Sequence, residues 1–385
     1  MDPLLPWRSE FPALEKNVYL ISHSLGAMPR RTRERLNEYA DVWSTRSIRA
    51  WEEGWWQMPI AVGNLIGKII GAGEGEVTMH PNVSVAQSIV ASCFNWTGKR
   101  NKVVSEGLNF PSNLYIHRQL EGLGARVVTV PSADGITVPL EELLRAIDEE
   151  TLLVSVSHVI FKSAFIQDLR AITERAHRVG AQVIADIYQS AGAVPVNVRE
   201  LGVDFATGGS VKWLCGGPGA GYLYVRRDLW PRLKPRVTGW IAHRNPFAFD
   251  PGAIEFAEDA FRFLNGTPNI PGLYAARSGY EIIGEVGVEN IRAKSLRQTS
   301  RLIGLAEEAG FRVNTPKNPA ERGGTVTVDV PNGNEVTQEL LRRDFLVDYR
   351  PGAGIRIAPH FYTKDEELEL VVGEIRSVAR ELQPA

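Results

Sequence analysis

The chain has 385 residues, 43 Lys plus Arg against 45 Asp plus Glu, a formal net charge of −2, and 44% hydrophobic residues. That length can bury a sizeable core, and the balanced charge gives no electrostatic reason to expect a nucleic-acid or membrane partner. Two cysteines, Cys93 and Cys215, exclude a disulfide scaffold and a Cys-rich zinc or iron–sulfur site, so no metal is expected.

The opening Met1-Asp2-Pro3-Leu4-Leu5-Pro6 lacks the basic start and apolar run of a secretory signal. No run of about 18 apolar residues occurs, so no membrane-spanning helix and a cytoplasmic location are expected. Residues 29–71 read as helical, because Leu36, Tyr39 and Trp43, then Ile60, Leu65 and Ile69, recur at helical spacing. Pro29 suits a first helical turn. Short apolar runs then alternate with helical stretches. Strands are expected at 76–79, 102–105, 125–130, 151–156, 182–185 and 221–225, with helices at 112–123, 139–148 and 168–179. This alternation predicts an α/β fold with a mainly parallel sheet buried on both faces. After about residue 272 the pattern changes. Two helices fill 272–310, a half-exposed strand runs over 325–330, and helix 334–344, strand 345–350 and a last helix from Lys364 follow. A smaller α+β C-terminal domain is expected there.

In open α/β sheets ligands bind at the carboxyl ends of strands. The run at 182–185 ends in Asp186, which is either a helix N-cap or a partner for something cationic. Lys212 follows in Gly208-Gly209-Ser210-Val211-Lys212-Trp213-Leu214, with Gly216, Gly217, Gly219 and Gly221 behind it. It is either a lysine at the edge of a glycine turn or a buried amine. A buried amine loses its charge readily and becomes a nucleophile for Schiff-base chemistry. The glycine run is not a dinucleotide fingerprint, because Pro218 interrupts it and it precedes a strand. An Asp followed at this distance by a Gly/Ser-flanked Lys fits pyridoxal phosphate, which needs a lysine for its aldehyde and an acid for its ring nitrogen. Asn82-Val83-Ser84-Val85 opens a helix after a short strand, and hydroxyl and N–H groups there make a phosphate site, or Ser84 is a plain N-cap. Phe110 is a ring-stacking or core residue, and Ser210 offers a further hydroxyl to the phosphate.

At these positions the chain resembles the class V, fold-type I pyridoxal phosphate enzymes, and among them the kynureninases. Tyr19-Leu20, Ser24-Leu25-Gly26 and Pro29 are similar to the N-terminal signature of that group, with His23 where it has Asn. Phe110-Pro111-Ser112 is similar to its ring-stacking segment, and His158-Val159 with Lys162-Ser163 to a loop of bacterial members. Gly239-Trp240 with His243, then Gly266-Thr267-Pro268, and finally Arg356-Ile357-Ala358-Pro359 continue the likeness along most of the chain. The resemblance implies a seven-stranded large domain at 59–271, a small C-terminal domain at 272–385 and an N-terminal segment at 1–58 packing on the small domain and the active site. It implies pyridoxal phosphate held by Lys212 and Asp186 with Val83, Ser84, Phe110, Gln189 and Ser210. Trp240 and Thr267 would come from the neighbouring subunit of a homodimer. For the substrate it implies Arg356 at the α-carboxylate, a role that the planar guanidinium suits. His23, Asn113, Trp51 and Gly266 would line the substrate site. Trp51, Gly266 and Thr267 match the bacterial pocket, in which an apolar Trp suits an unhydroxylated aryl ring; Trp51 also reads as core beside Trp55 and Trp56.

Three positions depart from the kynureninase pattern: Val211 stands for Tyr, Gln189 for His and Asn113 for Asp. Each removes a titratable group where proton transfer occurs. The implied activity is cleavage of the Cβ–Cγ bond of kynurenine or a related aryl-keto amino acid to an aromatic acid and alanine. The departures leave open another class V reaction, an aminotransferase, β-lyase or epimerase. A cysteine desulfurase is disfavoured, because its chemistry needs a C-terminal loop cysteine and none lies beyond Cys215. Lys212, Asp186 and Arg356 together argue against a non-enzymatic homologue.

Overall fold

The computed structural model describes residues 2–382. A two-residue strand, β1 (Val18–Tyr19), precedes helices α1 (Arg30–Arg46) and α2 (Met58–Ile70). The expected single helical stretch is split by a kinked turn at Trp51–Trp55, where Gly54 has φ 149°. Pro29 is the extended N-cap of α1 and not its first helical residue.

The alternating segment follows in chain order. It comprises β2 (Val77–His80), α3 (Val83–Ser92), β3 (Lys102–Glu106), α4 (Pro111–Glu121), β4 (Arg126–Val130), α5 (Leu140–Ala146), β5 (Thr151–Ser157) and α6 (Leu169–Arg178). Then come β6 (Gln182–Asp186), a short helix α7 (Val198–Leu201), β7 (Phe205–Gly209) and β8 (Gly221–Val225). Seven of these strands form one sheet in the order β2-β8-β7-β6-β5-β3-β4. Strand β8 alone runs against the direction of the other six strands. Apolar β-branched runs make β3, β5 and β6, which are buried on both faces as an interior parallel sheet requires. The edge strand β4 is partly exposed. Strand β7, Phe205-Ala206-Thr207-Gly208-Gly209, was not expected from the sequence, because its two glycines read as loop.

Beyond the sheet, α8 (Ile270–Val286) and α9 (Val288–Glu308) lead into a four-stranded sheet. That sheet contains β9 (Arg312–Val313) and β10 (Val326–Asp329), and, after α10 (Gly333–Arg342) and β11 (Phe345–Leu346), the strands β12 (Asp348–Arg350) and β13 (Gly354–Ile357). Helix α11 (Asp365–Glu381) covers it. Strand β10 is buried except at Asp329, not half-exposed as its alternation predicts, because Thr327 is also enclosed and donates its hydroxyl to the Lys162 carbonyl. The expected strand at 345–350 is two strands in different sheets: β11 pairs with β1, and β12 with β13. Strand β13, which carries Arg356, was not expected either. Helix α8 contributes Ile270, Leu273, Tyr280 and Ile283 to the core of the large sheet, while α9, β10, β13 and α11 share a second core. Among the described residues no helix is long and apolar enough to cross a membrane.

Candidate active site

The carboxyl ends of β5, β6 and β7 and the N-termini of α3 and α4 converge on a cavity of about 220 Å³, lined by Val83, Ser84, Phe110, Asp186, Tyr188 and Lys212 among others. The loop after β7 brings Lys212 in. Its carbonyl lies so close to Gly26 that a Cβ there would stand 2.1 Å from it, and the Gly26 N–H donates to the Val211 carbonyl at 2.7 Å. Ser24-Leu25-Gly26 therefore docks on the lysine loop. Burial, opposed mainly by the Asp186 charge, pushes the Lys212 amine down to about 8.

The amine stands between two aromatic rings. Lys212 Nζ is 4.1 Å from the centre of the Tyr188 ring and 5.5 Å from that of Phe110. Phe110 is 42% exposed, which decides between its two readings: it is a wall of the cavity and not core. Tyr188 was not singled out from the sequence. Its ring lies over Gly209, where a Cβ would come 2.3 Å from the phenol oxygen, so the glycine of β7 and the tyrosine two residues after Asp186 fit each other. The resemblance marks Asp186 and Gln189, and Tyr188, which with Ile187 separates them, carries no motif of its own.

Asp186 ends β6 and is buried. It caps no helix. Its Oδ1 accepts the Tyr188 N–H at 2.9 Å, and its Oδ2 accepts from Asn113 Nδ2 at 2.9 Å. Burial raises its carboxyl above the usual range, against the pull of those two donors and of Lys212. Asn113 reaches it from α4 and also donates to Asn109 Oδ1 at 2.9 Å, which leaves Asn113 Oδ1 buried without a partner. Behind them Glu106, another residue missed in the sequence, accepts the Ser157 N–H at 2.9 Å and is pushed up to about 8 by burial. Val83 and Ser84 are the first two residues of α3, whose N-cap is Asn82, so the hydroxyl of Ser84 is not spent on capping.

The arrangement fits pyridoxal phosphate. A buried amine lies in a slot between two aromatic faces, a buried carboxylate sits on the same wall, and a helix N-terminus with a free hydroxyl opens on the cavity. Other sequence candidates lie elsewhere. Ser210 is outside the lining, because its hydroxyl donates to the Ala220 carbonyl and meets the Tyr280 hydroxyl, each at 2.5 Å. Gln189 lines the cavity, but its amide is a tie: Nε2 donates to the His23 carbonyl at 3.0 Å and Oε1 accepts from Trp213 Nε1 at 2.9 Å. Gly266 and Thr267 line a separate cavity with His80 and Gly219. Trp51 stacks on Trp56 at 4.2 Å, and Trp56 meets the 36% exposed Trp240 edge-on at 5.5 Å. Within one chain none of these four lines the lysine cavity.

Arg356 is buried, not a surface arginine, and its fork is already engaged. Nε and Nη2 donate to Asp348 Oδ1 at 2.8 Å and Oδ2 at 2.5 Å, and Nη1 donates to the Phe161 carbonyl at 2.7 Å. Asp348 also accepts from Ser24 Oγ at 2.6 Å and His23 Nε2 at 2.8 Å. Burial works against its charge, but the His23 and Arg356 contacts hold its carboxyl far below the usual range. Burial and the Arg356 charge push His23 down to about 3. A neutral His23 therefore donates through Nε2 to the ionised Asp348, and its Nδ1 is left without a partner. Sequence reading passed over Asp348, because an Asp in a short strand reads as solvent-facing.

The chain is similar to known proteins over most of its length. The family described as Aminotransferase class-V matches residues 18–347. A kynureninase of Pseudomonas fluorescens is 33% identical over 361 residues, which is 91% of this chain and 86% of that protein. An uncharacterised aminotransferase of Bacillus subtilis, YcbU, is 32% identical over 96% of each chain. Among solved structures, a cysteine desulfurase from Thermococcus onnurineus NA1 superposes with a TM-score of 0.88 over 98% of each chain at 22% identity, which is a likeness of fold.

Proposed function

The chain belongs to the class V aminotransferase family and is a pyridoxal phosphate enzyme, and from that premise we propose that it hydrolyses the Cβ–Cγ bond of kynurenine or a related aryl-keto amino acid. The observation that carries the reading is the Lys212 amine held between Phe110 and Tyr188 beside Asp186, in a chain one-third identical to a kynureninase.

When bound, the cofactor supplies an electron sink for charge developing at the substrate Cα. The residues of the chain supply the rest. Asp186, fixed by Tyr188 and Asn113, would be the acid partner of the ring nitrogen and would stabilise its charge. The N–H groups at the start of α3 and the Ser84 hydroxyl would hold the phosphate. Lys212, with an amine that titrates near 8, takes the Cα proton as a base and carries it within the slot. Arg356 receives the α-carboxylate. Phe110 and Tyr188 exclude water from both faces. In the overall balance one water adds across the Cβ–Cγ bond: its oxygen goes to the acyl carbon, giving the aromatic acid, and a proton goes to Cβ, giving alanine.

A homodimer completes the site in this reading. Trp240, Phe247 and Phe249 form an exposed aromatic patch, with Phe249 71% exposed, and Gly266 and Thr267 lie away from the chain's own lysine. The patch would meet the second copy and bring Trp51, Trp240 and Thr267 to its cavity. Cytoplasmic tryptophan catabolism is the setting that fits this chemistry.

A second reading, another class V reaction on a different amino acid, draws support from Val211, Gln189 and Asn113 and from the 32% identity to the Bacillus aminotransferase. Product analysis with kynurenine separates the two. Anthranilate with alanine supports hydrolysis, and an α-keto acid supports amino transfer.

A further inference from the structure

We propose that Asp348 is a positioning residue for Arg356: it occupies one whole edge of the guanidinium and leaves a single N–H, on Nη1, for the substrate α-carboxylate. The inference rests on the reading of Arg356 as the carboxylate site.

A guanidinium has five N–H donors in a rigid plane. In this chain Nε donates to Asp348 Oδ1, Nη2 donates to Asp348 Oδ2 and, at 3.0 Å, to Ser24 Oγ, and Nη1 donates to the Phe161 carbonyl. One donor on Nη1 is left. The bidentate grip that a planar guanidinium can give a carboxylate is made here to Asp348 of the protein.

Asp348 is not a placeholder that a substrate displaces. It stands directly opposite Arg356 in the antiparallel pair of β12 and β13, so the two side chains share one face at the closest cross-strand spacing. Ser24, His23 and, at 3.0 Å, Arg350 also hold its oxygens. A carboxylate with that many donors has nowhere better to go. The charges facing it are Arg356 and Arg350 on its own sheet and the neutral His23 from the N-terminal segment, so the group keeps one net positive charge. One positive charge and one N–H match one carboxylate. Nη1 also ties the guanidinium to Phe161, whose ring meets Phe110 at 5.2 Å, so the orientation of Arg356 is fixed relative to the cofactor wall.

The test is spectral titration of the holoenzyme with L-alanine and with ethylamine, which share an amine but not a carboxylate. The preference for alanine reports carboxylate recognition, and a general loosening of the fold would not move it. Asp348→Asn is expected to cut that preference about tenfold, the effect of misaligning one charge-assisted hydrogen bond, and Arg356→Gln to remove it. Ser24→Ala, which removes the hydroxyl shared by Arg356 and Asp348, is expected to give a smaller loss and carries the test if Asp348→Asn does not fold. An unchanged or increased preference in Asp348→Asn, or an unchanged one in Ser24→Ala where the first variant fails to fold, overturns the proposal. An unchanged preference in Arg356→Gln overturns the carboxylate-site reading beneath it.

Discussion

Lys212 Nζ lies 4.1 Å above the ring of Tyr188, a residue that the Gly209 backbone makes room for. The contact gives the cavity a second aromatic ring besides that of Phe110. Stacking of this kind contributes roughly 1 kcal/mol beyond buried area. Tyr188→Ala should therefore weaken pyridoxal phosphate binding about fivefold, measured by absorbance titration of the apoprotein, while Tyr188→Phe should leave it unchanged. Equal loss in both variants would assign the effect to the hydroxyl and not to the ring.

The buried amine sets a pH dependence. Lys212 titrates near 8, lowered from 10.5 by burial, and only its neutral form attacks an aldehyde. The rate at which apoprotein captures added cofactor should rise about tenfold per pH unit below that value, then level above it. A rate still climbing steeply at pH 10 would show an ordinary solvated lysine.

Asn113 donates to Asp186 at 2.9 Å, so Asn113→Asp sets a second carboxyl against a buried one. Like charge raises the folded pKa of the pair. A group whose folded pKa is raised stabilises the fold fully below its unfolded value and loses that contribution as pH rises through the folded one. Relative to the parent, the variant should lose stability progressively above about pH 4, with a deficit of roughly 1–3 kcal/mol at pH 7. Thermal melts of the apoprotein from pH 4 to 8 read this directly, and a constant offset across that range would contradict it.

Trp240 is 36% exposed and packs on Phe247 and Phe249. If this patch seats the second copy, Trp240→Ala should shift sedimentation toward the monomer and weaken substrate binding, with the Lys212-dependent cofactor absorbance kept. A dimer of unchanged stability with unchanged KM would remove the patch from the interface.

The chain made some of this legible and hid the rest for physical reasons. Apolar runs ending in polar residues disclose β3, β5 and β6, because an interior parallel strand has no other way to be buried. Asp186 and Lys212 could be read as a pair because Asp186 ends such a strand and Lys212 follows it among glycines and a serine. Strand β7 was hidden because Gly208 and Gly209 carry no side chain to pattern; their role is to accept tyrosine rings from elsewhere. Tyr188, Asp348 and Glu106 went unseen for a related reason. Tyr188 and Glu106 take their parts from Lys212 and Ser157, distant in sequence, and Asp348, although only eight residues from Arg356, looks like a surface residue until β12 and β13 pair. Ser210 stands beside the lysine in sequence, yet its hydroxyl turns to Tyr280 and Ala220.

The most direct test of the account is incubation of the purified holoenzyme with L-kynurenine, with anthranilate followed by fluorescence and alanine by amino-acid analysis. The account predicts the two products in equal amounts, and their loss in Lys212→Ala. Cofactor bound with a Lys212-dependent absorbance but no anthranilate formed would contradict the assigned reaction.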